Sequence, residues 1–191
     1  DVGASVDSSV EDIKPGDRVA YCLSLGGYAE YASIPAWKLV KVPDTVPLDV
    51  AAALQLQGMT AHYLTHSLYP LKDGDSCLIH AGAGGMGQLA IQLAKMRGAK
   101  VLVTVGSAEK AEIAKKRGAD HAILYRDVDF AEAVRDITDG EGVNVVYDSV
   151  GKDTIRQSIK CLKPRGVLSN NGNASGPIGA LDPLDLAEAG S

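Results

Sequence analysis

A glycine-rich turn between an apolar segment and a helical segment constrains this chain more than any other feature. Gly82, Gly84 and Gly87 form the pattern G-x-G-x-x-G. The pattern follows an apolar strand, predicted over Ser76–Ala81, and opens a helix, predicted over Met86–Arg97. Such a loop lets the backbone approach a pyrophosphate, and the free N–H groups at the helix start favour the anion. By itself the pattern also fits a merely tight turn, so its surroundings must decide.

The surroundings alternate strand and helix. Four more strands are predicted over Lys100–Val105, His121–Leu124, Asn144–Asp148 and Gly166–Asn170. The helices between them are predicted over Ala108–Arg117, Asp129–Thr138 and Lys152–Leu162, and Gly98, Gly118 and Gly140 stand where helices should end. Apolar strands alternating with helices indicate an α/β fold with a doubly wound parallel sheet. In that context the glycine pattern favours a dinucleotide site. A P-loop is excluded because Gln88 follows Gly87.

The end of the second strand indicates which dinucleotide. NAD-binding proteins usually place Asp or Glu there, where the carboxylate holds the ribose hydroxyls. This chain has Gly106 and Ser107, and Lys110 follows one helical turn later. Glu109 is the counter-evidence, and Lys110 read alone would be an ordinary solvated lysine. Beside the missing acid, Lys110 and Ser107 favour a 2′-phosphate, which predicts NADPH.

The segment before residue 47 is predicted to be β-structure. Three strands joined as antiparallel hairpins are expected over Arg18–Leu23, Tyr28–Ile34 and Lys38–Val42, with Tyr28 and Tyr31 in strand packing. A helix is expected from Pro47, broken at Gly58, with a second helix running to Leu68.

The composition argues against several classes of function. The chain has 191 residues, is 46% hydrophobic and 23% charged, and carries a net charge of −5. An acidic chain without a Lys/Arg cluster argues against nucleic-acid and anionic-membrane partners. Its apolar runs are too short for a membrane span, and no secretory leader is visible. Cys22, Cys77 and Cys161 are far apart, which indicates reduced, mostly buried thiols and a cytoplasmic protein.

Several motifs together resemble a known family. "HAGAGGMGQLAIQLAKMRGAKVLVTVGSAEK", "GADHAILYRD", "VVYDSVG" and "GVLSNNGNASG", with "PGDRVAY", "GGYAEY" and "LQGMTAHYL" upstream, resemble the quinone oxidoreductase, zeta-crystallin-like branch of the medium-chain dehydrogenase/reductase superfamily. The resemblance implies that residues 1–46 are part of a GroES-like catalytic domain and that residues 47–191 are an NADPH-binding Rossmann domain with its leading helices. We expect the chain to be a piece of a longer polypeptide that continues into a last strand and a catalytic segment.

The resemblance also implies roles for individual residues. Gly84, Gly85, Met86 and Gly87 would carry the pyrophosphate. The adenosine 2′-phosphate and ribose would be surrounded by Gly106, Ser107, Lys110 and Tyr125. Ser149 would lie near the middle of the cofactor and Thr60 beside the nicotinamide. The carboxamide would meet Asn171, Gly172 and Asn173. No catalytic residue is identified.

The implied activity is zinc-independent reduction of a quinone, or another electron-poor small molecule, by NADPH, in a protein that is a homodimer when full-length. Residues 54–60, where an alcohol dehydrogenase would place a cysteine ligand, contain no Cys or His. His62 and His66 lack an evident third partner, so no metal is predicted. A serine hydrolase is excluded because Tyr147 and Asp148 precede Ser149.

Two alternatives stay open. One is an enoyl or enone reductase of the same superfamily. The other is not enzymatic: a nucleotide-binding, crystallin-like protein or an RNA-binding protein.

Overall fold

The computed structural model of the chain describes residue 7 and residues 9–188. Its backbone divides into two compact units, with the boundary between Met59 and Thr60. The domain assignment made from the sequence, 1–46 and 47–191, stays a prediction. No helix among the described residues has both the length and the apolar character needed to cross a membrane.

The first unit contains little regular structure. Strand β1 (Val19–Ala20) pairs antiparallel with β2 (Val40–Lys41), and a single 3₁₀ turn (Ala36–Lys38) precedes β2. The helix α1 (Leu48–His62) begins in this unit. A small apolar cluster of Ala20, Val42 and Ala51 forms its core. The described strands are therefore much shorter than the sequence predicts.

The predicted strand Tyr28–Ile34 is wrong, because this segment forms no strand. Tyr28 and Tyr31 are exposed to solvent rather than packed. Alternation of apolar and polar residues makes a strand only where a neighbouring strand pairs with it and a core covers one face. Neither β1 nor β2 pairs with this segment, so the alternation has nothing to bury against.

The predicted helix break at Gly58 is also wrong. Helix α1 passes through Gly58 without interruption and is followed by a π-helical segment, Tyr63–Leu68, in place of a second α-helix. A single glycine inside a helix costs only about 1 kcal/mol relative to alanine, which the rest of the helix readily offsets. The φ angle of Gly58 is not positive, so the backbone there makes no demand that only glycine meets.

The second unit confirms the predicted fold class. Its strands are β3 (Ser76–Ile79), β4 (Lys100–Val105), β5 (His121–Leu124), β6 (Val143–Asp148) and β7 (Leu162–Asn170). The helices are α2 (Gly85–Met96), α3 (Ala108–Lys116), α4 (Phe130–Ile137), α5 (Ile155–Lys160) and α6 (Leu184–Glu188). The five strands are parallel and lie in the order β5-β4-β3-β6-β7. The chain reverses its winding between β3 and β6, so these strands form the switch point of a doubly wound sheet.

Alternating side chains of the central strands build a core on each face of the sheet. Ile79, Val103 and Tyr147 belong to one apolar cluster, which α2 and α3 cover. Leu78 and Val146 belong to the opposite cluster, which α4 covers. All six residues of β6 are buried. Burial on both faces explains why these strands are largely apolar, which is the pattern that made them predictable.

The three cysteines are expected to differ in reactivity. Burial raises the pKa of Cys77 and of Cys161 to about 12, whereas Cys22 is half-buried. A thiol reacts with a disulfide reagent as its thiolate. At pH 8 we expect one thiol per chain to react promptly, and the other two to react only after denaturation.

Mass mapping of labelled peptides checks this expectation. A Cys22→Ser variant should lose the prompt phase entirely. Rapid labelling of Cys77 or Cys161 in the native protein would contradict the burial of these side chains.

Candidate functional site

The loops that follow the five parallel strands meet at one edge of the sheet, because the carboxyl ends of parallel strands share an edge. The structure places all but one of the predicted site residues in these loops or in the helical turns that follow them. They are Gly84, Gly85, Met86 and Gly87 after β3, Gly106, Ser107 and Lys110 after β4, Tyr125 after β5, Ser149 after β6, and Asn171, Gly172 and Asn173 after β7. Thr60 lies within α1 and is half-buried, and its role stays a prediction.

The glycine loop is pressed against the strands beside it. The Gly82 N–H donates to the Thr104 carbonyl at 3.1 Å. A Cβ atom at Gly82 would lie 2.6 Å from Cβ of Val103, and one at Gly87 would lie 2.5 Å from the Ala81 carbonyl oxygen. Real Cβ atoms do not approach other atoms so closely. Only glycine fits at these two positions, which explains the spacing of the sequence pattern in steric terms.

The start of α2 is open to an anion. No described side chain caps this end of the helix, and its first turn holds no acidic residue. The first amide N–H groups of a helix have no partner within it, and they carry the positive end of the helix dipole. The Gly84 N–H donates to the Ala81 carbonyl at 2.8 Å, which folds the loop back beneath this end. The arrangement can therefore hold a phosphate by backbone donors alone.

Polar side chains surround the small residue at the end of β4. A Cβ atom at Gly106 would lie 3.1 Å from the Tyr125 hydroxyl and 3.4 Å from Nε of Arg126. Ser107 caps α3, its hydroxyl oxygen accepting the Lys110 N–H at 3.3 Å, and its own O–H remains able to donate. Sequence reasoning missed Arg126, although it directly follows Tyr125. A guanidinium beside this glycine adds to the positive character of the site.

Glu109 lies in the same first turn of α3 and is exposed. The carboxylate thus sits on the helix rather than at the strand end, as the sequence predicts.

The loops after β6 and β7 pack tightly against each other. A Cβ atom at Gly172 would lie 2.6 Å from the Ser149 carbonyl oxygen, and the Asn171 N–H donates to the Asp148 carbonyl at 2.8 Å. The Asn171 side-chain oxygen is buried and accepts no hydrogen bond from the described residues. Such an orphaned acceptor costs about 1–3 kcal/mol, so a group that brought an N–H donor to this oxygen would recover that cost.

A buried polar chain lies directly beneath these loops, and sequence reasoning did not find it. The Ser158 hydroxyl donates to Oδ2 of Asp148 at 2.7 Å. Nε2 of His80 lies 2.9 Å from the Ser158 oxygen, and Nδ1 of His80 lies 2.8 Å from the Thr104 hydroxyl. All four side chains are at most 2% exposed. One signal was available: His80 follows the apolar residues 77–79, and Asp148 follows the apolar residues 145–147.

The order of these hydrogen-bonded side chains excludes a hydrolytic triad. In a triad the histidine lies between the serine and the carboxylate. Here Ser158 lies between His80 and Asp148, and its hydroxyl donates a hydrogen bond to the carboxylate. Burial lowers the pKa of His80 to about 4, and the Asp148 carboxylate opposes this only in part. The imidazole is therefore neutral and structural at physiological pH.

The described residues do not supply a zinc site. They contain no group of three or more His, Cys, Asp or Glu side chains placed to hold a metal ion. The rings of His62 and His66 stack on each other with their centroids 4.2 Å apart. Two histidines without a third ligand do not make a catalytic zinc site. The expected absence of a metal stays a prediction.

Comparison with known proteins places the chain in a family. Residues 85–189 match the model of the zinc-binding dehydrogenase family. The chain belongs to this family.

Two proteins of known name match nearly the whole chain. The chain is 49% identical to a 2-haloacrylate reductase of a Burkholderia species, over 96% of the chain and 55% of that protein. It is 44% identical to a quinone oxidoreductase of Pseudomonas aeruginosa, over 98% of the chain and 58% of that protein. The chain thus spans little more than half the length of these relatives.

A solved structure gives the same result. The crystal structure of the Escherichia coli quinone oxidoreductase complexed with NADPH superposes with a TM-score of 0.93 at 43% identity, over 97% of the chain and 57% of that protein. The resemblance to the quinone oxidoreductase branch is thereby confirmed. The family name refers to zinc, but the described residues do not fit that metal, and no chemical step is assigned to it here.

The buried histidine makes a testable contribution to stability. Its pKa is about 4 in the folded chain, below the ordinary 6.5, so the unfolded chain binds this proton first as the pH falls. The contribution of His80 to the free energy of unfolding is fully present above pH 6.5 and is lost progressively between pH 6.5 and pH 4. Between pH 7.5 and pH 5.5, His80 alone should lower the free energy of unfolding by about 1 kcal/mol.

Urea unfolding at the two pH values checks this effect. A His80→Asn variant should show a smaller difference between the two free energies than the wild type. A Val134→Ala variant, which loses core packing without losing a titrating group, should keep the wild-type difference. Equal pH dependence in wild type and His80→Asn would contradict a buried neutral imidazole.

Proposed function

We propose that this protein is a zinc-independent, NADPH-dependent quinone oxidoreductase. One observation carries the proposal. At the switch point of the sheet, a glycine loop that tolerates no side chain at Gly82 or Gly87 leads into a helix without a side-chain cap, and the neighbouring strand β4 is followed by Gly106 rather than by a carboxylate. The first part fits a pyrophosphate, and the second fits a ribose that carries a 2′-phosphate.

The binding roles are proposed in the order in which the loops lie along the sheet. The backbone from Gly84 to Gly87 holds the pyrophosphate. Around the 2′-phosphate we place Gly106, Ser107, Lys110 and Tyr125, with Arg126 as an addition from the structure. Ser149 contacts the ribose at the middle of the cofactor, and Thr60 and residues 171–173 face the nicotinamide.

The chemistry needs little from acid or base side chains. When bound, NADPH supplies a hydride equivalent to an electron-poor acceptor. The chain's own residues bind the phosphates, orient the nicotinamide half through the loops after β6 and β7, and exclude water from that edge of the sheet. No residue of the chain is assigned as a catalytic acid.

A second candidate is the reduction of an activated carbon–carbon double bond. The 49% identity with a 2-haloacrylate reductase favours it. An electron-poor alkene, like a quinone, accepts a hydride without a strong acid catalyst. The same cofactor site would therefore serve both reactions, and the difference between them lies in the acceptor pocket.

We propose a cytoplasmic protein that forms a homodimer when full-length and has no nucleic-acid or membrane partner. The acidic composition, with a net charge of −5, supports the last part.

An acceptor screen tests the activity. With NADPH as donor, the full-length protein should reduce simple benzoquinones faster than enoyl thioesters or 2-haloacrylates, as followed by the loss of NADPH absorbance. Faster turnover of the acrylates than of any quinone would favour the second candidate. Absence of NADPH oxidation with every acceptor would contradict both.

The choice of NADPH over NADH is expected to depend on Lys110. A Lys110→Ala variant should bind NADPH about tenfold to a hundredfold more weakly, because a charge-assisted contact to the 2′-phosphate is lost. NADH lacks that phosphate, so its affinity should change little. Calorimetric titration of both nucleotides measures the difference.

Lys116→Ala is the matched control, since Lys116 is an exposed lysine at the other end of α3. It should leave both affinities unchanged. Equal losses for NADPH and NADH in Lys110→Ala would show that Lys110 does not read the 2′-phosphate.

A further inference from the structure

The buried polar chain beneath the site has a defined direction. The Ser158 hydroxyl has one proton and donates it to Asp148, so it must accept at 2.9 Å from Nε2–H of His80. Nδ1 of the neutral ring is then an acceptor, and the Thr104 hydroxyl donates to it at 2.8 Å. Each of the three hydrogen bonds along this line then has one donor and one acceptor. We call Thr104, His80, Ser158 and Asp148 the relay.

His80, the histidine of the relay, fixes the start of the glycine loop. The His80 ring is hydrogen-bonded at both of its nitrogens. The backbone N–H of His80 donates to the Tyr147 carbonyl of β6 at 3.1 Å. The next residue, Ala81, has a φ angle of +53°, a left-handed conformation that alanine rarely adopts. Such a conformation persists only where the surroundings impose it. The anchored imidazole is one such constraint, immediately before the turn.

Asp148, at one end of the relay, fixes the loop after β6. Oδ1 of Asp148 accepts the N–H groups of Val150 and Gly151, each at 2.9 Å. The Thr154 hydroxyl oxygen lies 2.8 Å from each of the two carboxylate oxygens, so its one proton is shared between them. With Ser158, the carboxylate therefore gathers donors from the whole span between β6 and α5. Its position determines where Ser149 lies.

The loop after β7 is fixed through the same carboxylate-bearing segment. The Asn171 N–H donates to the Asp148 carbonyl at 2.8 Å, and the Ser175 N–H donates to the Val150 carbonyl at 2.9 Å. A shift of residues 149–151 would therefore carry residues 171–173 with it. The relay connects the loop that faces the pyrophosphate to both loops that face the nicotinamide half.

We propose that the relay sets the spacing between these two halves of the dinucleotide site. Asp148 and Ser158 of the relay are then positioning residues, and so is Thr154, whose hydroxyl donates to the Asp148 carboxylate. They act on NADPH through the loops they hold and do not touch it. The inference rests on the proposed function, since it presumes that NADPH spans these loops. It assigns to buried side chains a share in cofactor affinity that sequence motifs do not reveal.

Two ligands separate this role from a general effect on folding. Adenosine 2′,5′-bisphosphate carries only the adenosine half of the cofactor, whereas NADPH must reach both halves at once. In the full-length protein, Ser158→Ala should weaken NADPH binding about tenfold, as expected for the loss of a hydrogen bond to a carboxylate. Its affinity for the bisphosphate should stay within about twofold of wild type. The readout is the ratio of the two dissociation constants, measured by calorimetry.

Thr154 provides milder variants, because its side chain is half-buried. Thr154→Val removes the hydroxyl at nearly constant volume and should change the ratio in the same direction, whereas Thr154→Ser should restore it. Thr138→Val is the matched control. Thr138 is also half-buried, and its hydroxyl accepts the Gly142 N–H at 2.9 Å just before β6, at the opposite edge of the sheet. This variant should leave the ratio unchanged.

The outcomes are distinct. A changed ratio in Ser158→Ala and Thr154→Val, with Thr154→Ser and Thr138→Val close to wild type, supports the relay. If the wild type binds both ligands and the variants lose affinity for both equally, or for neither, the relay is overturned and the proposed function stands. Wild-type protein that binds no NADPH overturns both. If Ser158→Ala does not fold, as judged by its thermal transition, the Thr154 pair decides.

Discussion

The close contact between the glycine loop and β4 is the constraint on which the site depends. Gly82 lies against Val103 with no space for a Cβ atom, and Gly87 lies equally close to the Ala81 carbonyl. These contacts bring the start of α2 to the switch point of the sheet. If either contact opened, the first amides of α2 would move away from the loops after β4 and β6. The phosphate site proposed at this loop therefore depends on these steric contacts as well as on charge.

The α/β half of the molecule could be predicted because its information is local. Strands buried on both faces are largely apolar, and the glycines that end helices have positive φ angles, as at Gly98 and Gly118. The first unit was predicted poorly for the opposite reason. Whether Tyr28–Ile34 becomes a strand depends on a partner strand, and the residues themselves carry no information about whether one is present.

The site divides in the same way. Gly84, Gly106 and Lys110 could be chosen from spacing and from family resemblance, since the motif is contiguous. The relay could not be chosen, because its hydrogen bonds join residues far apart in the sequence, such as His80 and Ser158. Arg126 was missed although it adjoins a predicted residue, since only the fold brings it over Gly106. Side-chain hydrogen bonds between distant residues are a property of the tertiary structure, and periodicity does not report them.

The orphaned oxygen of Asn171 has an energetic consequence. A buried acceptor without a donor makes the protein less stable by about 1–3 kcal/mol than it would be with that bond formed. A ligand amide that donates to this oxygen would remove the deficit on binding, and the gain would appear as affinity for that ligand. Stabilisation that is missing from the folded loop after β7 would then be gained on binding, and only from a ligand group that can donate a hydrogen bond. The unsatisfied oxygen would thus favour a carboxamide, which has N–H donors, over a carboxylate, which has none.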